Sequence, residues 1–137
     1  MNKKQYVTFE VAKLLKEKGF DWFTYAYYTK DDVDKKPYFG IENLCPDNWN
    51  GQVGEVNDLW FSAPTHQMAV CWLTEEKGMY ISVVPDFNEY GKYPDDLYWF
   101  ARVYDLRNGD YIHSTKLYKS SQETFEVALK YVLTNLI

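Results

Sequence analysis

The dipeptide Asn108-Gly109 most constrains the fold of this chain, because it separates two segments rich in β-forming residues. The segment before it reads "LYWFARVYDL" and the segment after it reads "DYIHSTKLY". Asn-Gly is a strong two-residue signal for a β-hairpin, since both residues tolerate a positive φ. A two-residue turn would place Arg107 opposite Asp110 and Tyr104 opposite His113. The sequence therefore predicts two adjacent antiparallel strands in its second half.

Helical patterns lie at both ends of the chain. Thr8 can cap the segment "FEVAKLLKEKG", and Gly19 provides the stop. Ser120 and Glu123 have the spacing of a capping box. The apolar residues that follow recur at helical spacing: Phe125, Ala128, Leu129, Val132, Leu133 and Leu136. We expect one helix near each end of the chain, and we expect the last one to dock on the core.

A third helix is predicted in "SAPTHQMAVCWLTEEKG", residues 62–78. Ser62 or Ala63 is the expected cap, Pro64 suits the first turn because its missing N–H costs nothing there, and Thr65 can bind the exposed amides. The helix is expected to end at Lys77 and Gly78. Its predicted apolar face comprises Met68, Ala69, Cys71, Trp72 and Leu73. His66 is predicted to face away from that side, as a polar residue at its rim.

The remaining pattern fixes the fold class. The segment "FDWFTYAYYT" alternates like a strand, and "MYISVVP" is a second short strand. Residues 30–61 show no sustained periodicity, but they are too apolar for a disordered linker, so we expect an ordered excursion. The predicted fold is one α+β domain over residues 1–137. It has a mostly antiparallel sheet of about four strands and three helices mainly on one face, in the order α-β-(long excursion)-α-β-β-β-α.

Aromatic residues make up 19% of the chain, with 13 Tyr, 8 Phe and 5 Trp. A single core built from 137 residues cannot readily bury so many rings. Some of them are therefore expected to meet solvent or a partner. Two interpretations stay open, namely tyrosines on sheet surfaces with wet hydroxyls and a recognition surface.

The charge is negative and uneven. The formal net charge is −5, and residues 37–76 contain no Lys or Arg. These acids are either solvated loop residues or a surface that attracts a basic partner. Nucleic-acid binding needs cations that replace the phosphate counterions, so the sequence predicts no nucleic-acid partner. The order α-β-β-β-α of the second half resembles double-stranded-RNA-binding domains in topology alone, since the last helix starts "SSQETFE" without their lysine cluster.

Motifs for catalysis, metals or cofactors are missing from the sequence. The two cysteines and two histidines lack zinc spacing, the segment from Asp86 fails as a calcium loop at its twelfth position, and no phosphate-binding glycine loop or G-x-S-x-G motif occurs. His66 and Cys71 would lie about 140° apart around a helix. A pair assembled in space from Cys45 with His66 or His113 stays an alternative. We predict no catalytic residues, no metal site and no cofactor.

The chain is expected to be cytoplasmic. No segment reaches the roughly 18 apolar residues of a membrane span, and the N-terminus has no uninterrupted apolar run like that of a signal peptide. Two cysteines and no Asn-x-Ser/Thr site suit a reducing compartment. We expect both to be thiols, with Cys45 in a loop and Cys71 in the core.

Three segments carry a resemblance to other proteins. They are "APTHQMAVCWLTEEKGMYISVVP", "YVTFEVAKLLKEKGF" and "ETFEVALKYVLTNLI". Together they resemble a group of small uncharacterised proteins encoded on prophages and other mobile elements of gut bacteria. These proteins share an A-P-T-x-x-x-x-x-x-W-L segment followed by a hydrophobic strand, and a similar closing helix. The resemblance implies a mobile-element origin, and it implies no catalytic residue.

The favoured hypothesis for function is a non-enzymatic protein–protein interaction module. An acidic, aromatic-rich surface would bind a host or phage protein, because Tyr and Trp are common interface anchors. The candidate binding residues are Trp49, Trp60, Phe61, His66, Tyr90 and Tyr93. The alternative is a small-molecule-binding or enzymatic domain with an aromatic-lined cleft that contains His66 or His113. A homo-oligomeric structural role is the third hypothesis, and the sequence leaves the oligomeric state open.

Overall fold

The computed structural model describes residues 5–31, 36–39, 46–51, 59–87 and 97–137. The chain divides into two compact units, Met1–Trp72 and Leu73–Ile137, which are described in turn. Within the described ranges the fold is α+β, with three α-helices and two antiparallel three-stranded sheets. The predicted α+β class is confirmed. The prediction of one domain over residues 1–137 stays a prediction.

In its described residues, the first unit contains two α-helices and one small sheet. Its sheet has the strand order β2-β1-β3, and both pairings are antiparallel. The elements are α1 Phe9–Glu17, β1 Ala26–Thr29, β2 Tyr38–Phe39, a 3-10 turn Trp49–Gly51, β3 Trp60–Ala63 and α2 His66–Trp72.

Helix α1 forms where the sequence predicts it. The Thr8 side chain accepts a hydrogen bond from the Val11 amide at 3.4 Å, which is the N-cap interaction. Val11 and Leu15 are fully buried, as the apolar spacing requires. Gly19 follows the helix with a φ of 91°, a left-handed conformation that glycine adopts without strain.

The inner face of the first sheet packs against α1 and the chain before it. The Phe9 ring meets Tyr28 at 5.7 Å and Phe61 at 5.2 Å between centroids, both edge to face. The buried Tyr28 hydroxyl donates to the Val7 carbonyl at 2.7 Å. Ala26, on the same side of β1, is also fully buried. This face therefore belongs to the core.

Helix α2 corrects three expectations. Its cap is Thr65, whose hydroxyl accepts from the Met68 amide at 3.1 Å, whereas Ser62 and Ala63 belong to β3. Cys71 is exposed rather than in the core, and His66 is buried rather than at a polar rim. The helix is rotated relative to the prediction. Its buried side comprises His66, Ala69, Val70 and Trp72.

The second unit begins with a π-helical turn and ends with the longest helix. Its sheet has the strand order β4-β5-β6. The elements are the turn Leu73–Lys77, β4 Met79–Phe87, β5 Leu97–Asp105, β6 Asp110–Ser114 and α3 Ser121–Asn135. The predicted cap of α3 is confirmed, because Ser120 Oγ accepts from the Glu123 amide at 3.1 Å.

The predicted single sheet of about four strands is wrong. The excursion at residues 30–61 supplies β2 and the first residues of β3, and with β1 these form a separate sheet. The observed order is α-β-β-β-α-β-β-β-α, so the second half matches the prediction and the first half has two strands more. The excursion is thus partly regular structure.

The hairpin between β5 and β6 is confirmed, but its predicted register is wrong. Asp105 pairs with Asp110, Tyr104 with Tyr111 and Val103 with His113, so the connection holds four residues and a bulge follows it. Arg107 lies in that connection and binds back to Asp105. Its backbone amide donates at 3.0 Å, and its guanidinium donates at 2.9 and 3.0 Å to the two carboxylate oxygens. These bonds favour the longer loop over a two-residue turn.

This carboxylate predicts how stability depends on pH. The side-chain hydrogen bond from Arg107 holds the pKa of Asp105 below its ordinary value of 3.8. A lowered folded-state pKa stabilises the protein above the unfolded-state value, and this stabilisation is lost as the pH falls through the folded-state value. We expect denaturant unfolding between about pH 5 and pH 2 to show a steeper loss of stability in the wild type than in Asp105→Asn. Parallel pH profiles would contradict this role.

Candidate functional site

The outer face of the first sheet carries aromatic side chains. Tyr27 pairs with Tyr38 on β2 and with Ser62 on β3, so these residues share a face, and Trp60 lies two residues before Ser62 on the same side. Burial alternates along the chain before β1, which places Phe23 and Tyr25 on the side of Tyr27. We call this set the outer aromatic face: Phe23, Tyr25, Tyr27, Tyr38, Trp49 and Trp60.

Tyr27 is the centre of this face. Its ring lies 4.3 Å from Trp49, 5.7 Å from Trp60 and 5.8 Å from Tyr38, measured between centroids. Trp49 and Trp60 meet edge to face at 5.7 Å. The distances of 5.7 and 5.8 Å lie within the range of about 4.5–7 Å for favourable aromatic pairs, and the 4.3 Å between Tyr27 and Trp49 is slightly shorter, so the four rings form one contiguous layer.

Hydrogen bonds fix Trp49 in this layer. Its indole Nε1 donates to the Thr24 carbonyl at 2.8 Å. The next residue, Asn50, exchanges two hydrogen bonds with Ser62: its amide donates to the Ser62 hydroxyl at 3.1 Å, and the Ser62 amide donates to its side-chain oxygen at 2.9 Å. The Asn50 side-chain nitrogen also donates to the Phe20 carbonyl at 3.0 Å. The ring of Trp49 is therefore held in place by hydrogen bonds within the first unit.

The rim of the outer aromatic face is open to solvent. Phe23 is 61% exposed, Tyr25 51% and Tyr38 47%, although all three rings are large and apolar. Tyr27, Trp49 and Trp60 are half-buried. An exposed rim around a half-buried, ordered centre makes these residues one contiguous aromatic surface rather than isolated surface aromatics.

The structure brings together two of the six predicted binding residues. Trp49 and Trp60 lie on the outer aromatic face, 5.7 Å apart. Phe61 is on the inner face, buried against Phe9, and His66 is buried in α2. Tyr90 and Tyr93, like Cys45, lie outside the described residues.

Sequence reasoning missed four members of the outer aromatic face. They are Phe23, Tyr25, Tyr27 and Tyr38. Their signal was in the strand pattern, because the alternation in "FDWFTYAYYT" places Phe23, Tyr25 and Tyr27 on one side. The contribution of Tyr38 depends on its pairing with Tyr27, which no local pattern indicates.

The two histidines have packed environments. His113 stacks on Tyr131 of α3, with centroids 3.8 Å apart and ring planes within 12°. His66 is 5% exposed. A groove in the first unit is lined by Lys13, Lys16, Glu17 and Phe61, so its lining includes neither histidine. Lys16 donates there to the Trp60 carbonyl at 2.8 Å and lies over the Phe61 ring.

Two further findings concern metals and membranes. No group of three or more His, Cys, Asp or Glu side chains could hold a metal ion among the residues that the structure describes. Within the same ranges, no helix is both long and apolar enough to cross a membrane.

Comparison with known proteins gives no relative for this chain. No family model, curated protein or solved structure matches it. The assignment of the outer aromatic face as the candidate site therefore depends on the geometry of its residues alone.

Proposed function

We propose that the protein is a non-enzymatic interaction module of mobile-element origin, which binds a host or phage protein in the cytoplasm through the outer aromatic face. The observation that carries this proposal is the pairing of exposed rings with a fixed centre. Phe23, Tyr25 and Tyr38 are about half exposed, and Trp49 is held by its hydrogen bond to the Thr24 carbonyl. These rings have few rotatable bonds, and the central ones are already ordered. Their side chains therefore lose little conformational entropy when a partner binds.

The charge distribution supports a basic partner. Tyr38, Trp49 and Trp60 come from residues 37–76, the stretch that contains no Lys or Arg. Together they supply half of the outer aromatic face. A partner with Lys or Arg around an apolar centre would be attracted by the net charge of −5 and would stack its cations on the rings. The resemblance to prophage proteins supports a host or phage origin for that partner.

The alternative is a small-molecule-binding or enzymatic domain with a cleft around His66 or His113. The burial of His66 and the stacking of His113 on Tyr131 favour structural roles for both rings. The interaction module is therefore the better-supported proposal.

The proposal predicts that removing exposed rings abolishes capture of the partner. We expect the double variant Phe23→Ser/Tyr25→Ser to lose at least about tenfold in recovery of the specific proteins that tagged wild type captures from host lysate, since covering each exposed ring contributes about 1 kcal/mol and about 1.4 kcal/mol in all is tenfold. Quantitative mass spectrometry of the captured proteins measures this change. The same loss should appear in a titration with the purified partner.

The matched control removes equally exposed apolar side chains from the second unit. Phe87 is 62% exposed and Leu117 49%, close to the values for Phe23 and Tyr25. The variant Phe87→Ser/Leu117→Ser should capture the same proteins as wild type. Equal recovery from wild type and from the Phe23/Tyr25 variant, with both folded by circular dichroism, would refute the proposal.

A further inference from the structure

The second sheet presents two ordered rows of side chains on the face opposite α3. Tyr80, Tyr104 and Tyr111 are register partners across β4, β5 and β6, and we call them the tyrosine row. Ser82, Arg102 and Ser114 are register partners in the same way, and we call them the Ser-Arg-Ser row. The residues between these rows, Ile81 and Val103, point to the buried side. The two rows are therefore neighbours on one face.

The tyrosine row forms a continuous aromatic strip. Tyr80 and Tyr104 have ring centroids 6.3 Å apart, and Tyr104 and Tyr111 are 5.8 Å apart. Tyr80 is 40% exposed and Tyr111 is 55% exposed. The Tyr80 and Tyr104 rings are inclined by 35°, so a planar ring system can stack against this pair, and Tyr111 meets Tyr104 edge to face.

The Ser-Arg-Ser row offers three side chains that can donate hydrogen bonds. Arg102 is exposed, and its guanidinium lies 5.2 Å from the Phe100 ring centroid. In the part of the chain that the structure describes, Arg102 forms no ion pair, whereas Arg107 is bound to Asp105. Arg102 stands between Ser82 and Ser114 in the strand register, so a phosphate above this row can accept from its guanidinium and from a serine hydroxyl.

The spacing of the rows defines the ligand. Two residues along a strand cover about 7 Å, so the backbone positions of Arg102 and Tyr104 lie about that far apart. A planar base and a phosphate joined by a sugar span such a distance. Asp86, the acid of β4 on this face, is four residues from Ser82 and so about 14 Å away, beyond the screening length at physiological salt.

We propose that this face binds a mononucleotide, with its base on the tyrosine row and its phosphate on the Ser-Arg-Ser row. The two rows contain a single cation, and each further phosphate of a strand would need another. The net charge of −5 would repel such a strand. A single nucleotide therefore fits better than single-stranded nucleic acid. This site lies on a different sheet from the outer aromatic face and is independent of the proposed interaction with a protein.

The test is a titration of the isotope-labelled full chain with AMP, adenosine and ribose 5-phosphate, followed by amide chemical shifts. We expect saturable shifts in both rows with AMP, with a Kd on the order of 1 mM or below. Adenosine lacks the phosphate and ribose 5-phosphate lacks the base, so each should bind at least about tenfold more weakly. Absence of saturable shifts, or shifts confined to other residues, would overturn the site.

Variants separate the two halves of the ligand. Arg102→Gln should weaken AMP at least about tenfold and leave adenosine unchanged, because only the phosphate contact is lost. Lys13→Gln, which removes an exposed cation of α1, should bind AMP like wild type. Unchanged AMP binding by Arg102→Gln would overturn the phosphate assignment. Much tighter binding of a ten-residue oligoadenylate than of AMP would overturn the mononucleotide assignment in favour of a single strand.

Discussion

Replacement of Trp72 by Ala is expected to lower the free energy of unfolding by about 3–5 kcal/mol, because it removes a large ring from a packed interior. Trp72 is 2% exposed in α2. Its ring meets Phe20 edge to face, with centroids 5.4 Å apart. A total stability of about 5–15 kcal/mol is usual for a folded domain, so this loss would be a large part of it. Chemical denaturation of the purified variant gives the value.

The neighbouring residue supplies the control for this change. Cys71 is exposed on the same helix, so Cys71→Ser should change the free energy of unfolding by less than about 0.5 kcal/mol. The Cys71→Ser result tests the rotation of α2, because the predicted face contains both Cys71 and Trp72 whereas the observed buried side contains only Trp72 of the two. A loss from Cys71→Ser well above about 0.5 kcal/mol would restore the predicted face, and a small loss from Trp72→Ala would contradict the burial of Trp72.

The rotation of α2 shows where periodicity stops being informative. Residues 68–73 are six consecutive apolar residues, so several helix faces fit the hydrophobic pattern equally well. The helix itself spans seven residues, which gives little length over which a pattern could decide. Long amphipathic helices with polar faces do not have this ambiguity. The N-caps of α1 and α3, Thr8 and Ser120, agree with the prediction, because a cap depends on the type of one residue and not on a periodic face.

The sequence does not predict strands β2 and β3 of the first sheet, for a different reason. Strand β2 has two residues and β3 has four, which are too short for alternation to be recognised. Strand β3 also precedes Pro64, a pattern that predicts a helix cap at Ser62, although Ser62 is a buried strand residue. Pairing with β1 stabilises both strands, and such contacts between distant residues leave no local signal.

The candidate site was predictable in composition but not in arrangement. The aromatic excess indicates exposed rings, and Trp49 and Trp60 are among the candidates that the sequence predicts. Their common centre, Tyr27, could not be identified, because the turn that carries Trp49 is fixed by hydrogen bonds to Thr24 and Ser62. Phe61 was misplaced because its neighbour Trp60 points to the opposite side of β3. A one-residue difference along a strand decides between core and surface.

Both sheets explain why the chain can carry so many aromatic residues. In the first unit, α1 packs on one side and the rings around Tyr27 lie on the other. In the second unit, α3 packs on β4 and β5, while the tyrosine row lies on the opposite face. A three-stranded sheet with one covered face has room for large side chains on its other face. The aromatic content is therefore spread over two sheet surfaces rather than collected in one core.

The second large effect is expected from Leu129→Ala, in the helix that covers the second sheet. Leu129 is fully buried, and in α3 it lies with Ala128, Val132 and Leu133 on the buried side. Helices of this length gain most of their stability from packing of the apolar face, so a cavity here weakens the helix and the sheet together. We expect a loss of about 2–5 kcal/mol in the free energy of unfolding, measured by chemical denaturation.

Two controls separate this cavity from a general loss of hydrophobic residues. Leu129→Met keeps the volume and should lose less than about 1.5 kcal/mol. Leu117→Ala removes the same atoms from a side chain that is 49% exposed, and it should change stability by less than about 0.5 kcal/mol. All three variants replace a Leu of the second unit. The differences between their losses in free energy of unfolding therefore measure the effect of burying the Leu129 side chain. Similar losses from Leu129→Ala and Leu117→Ala would show that α3 does not pack through Leu129.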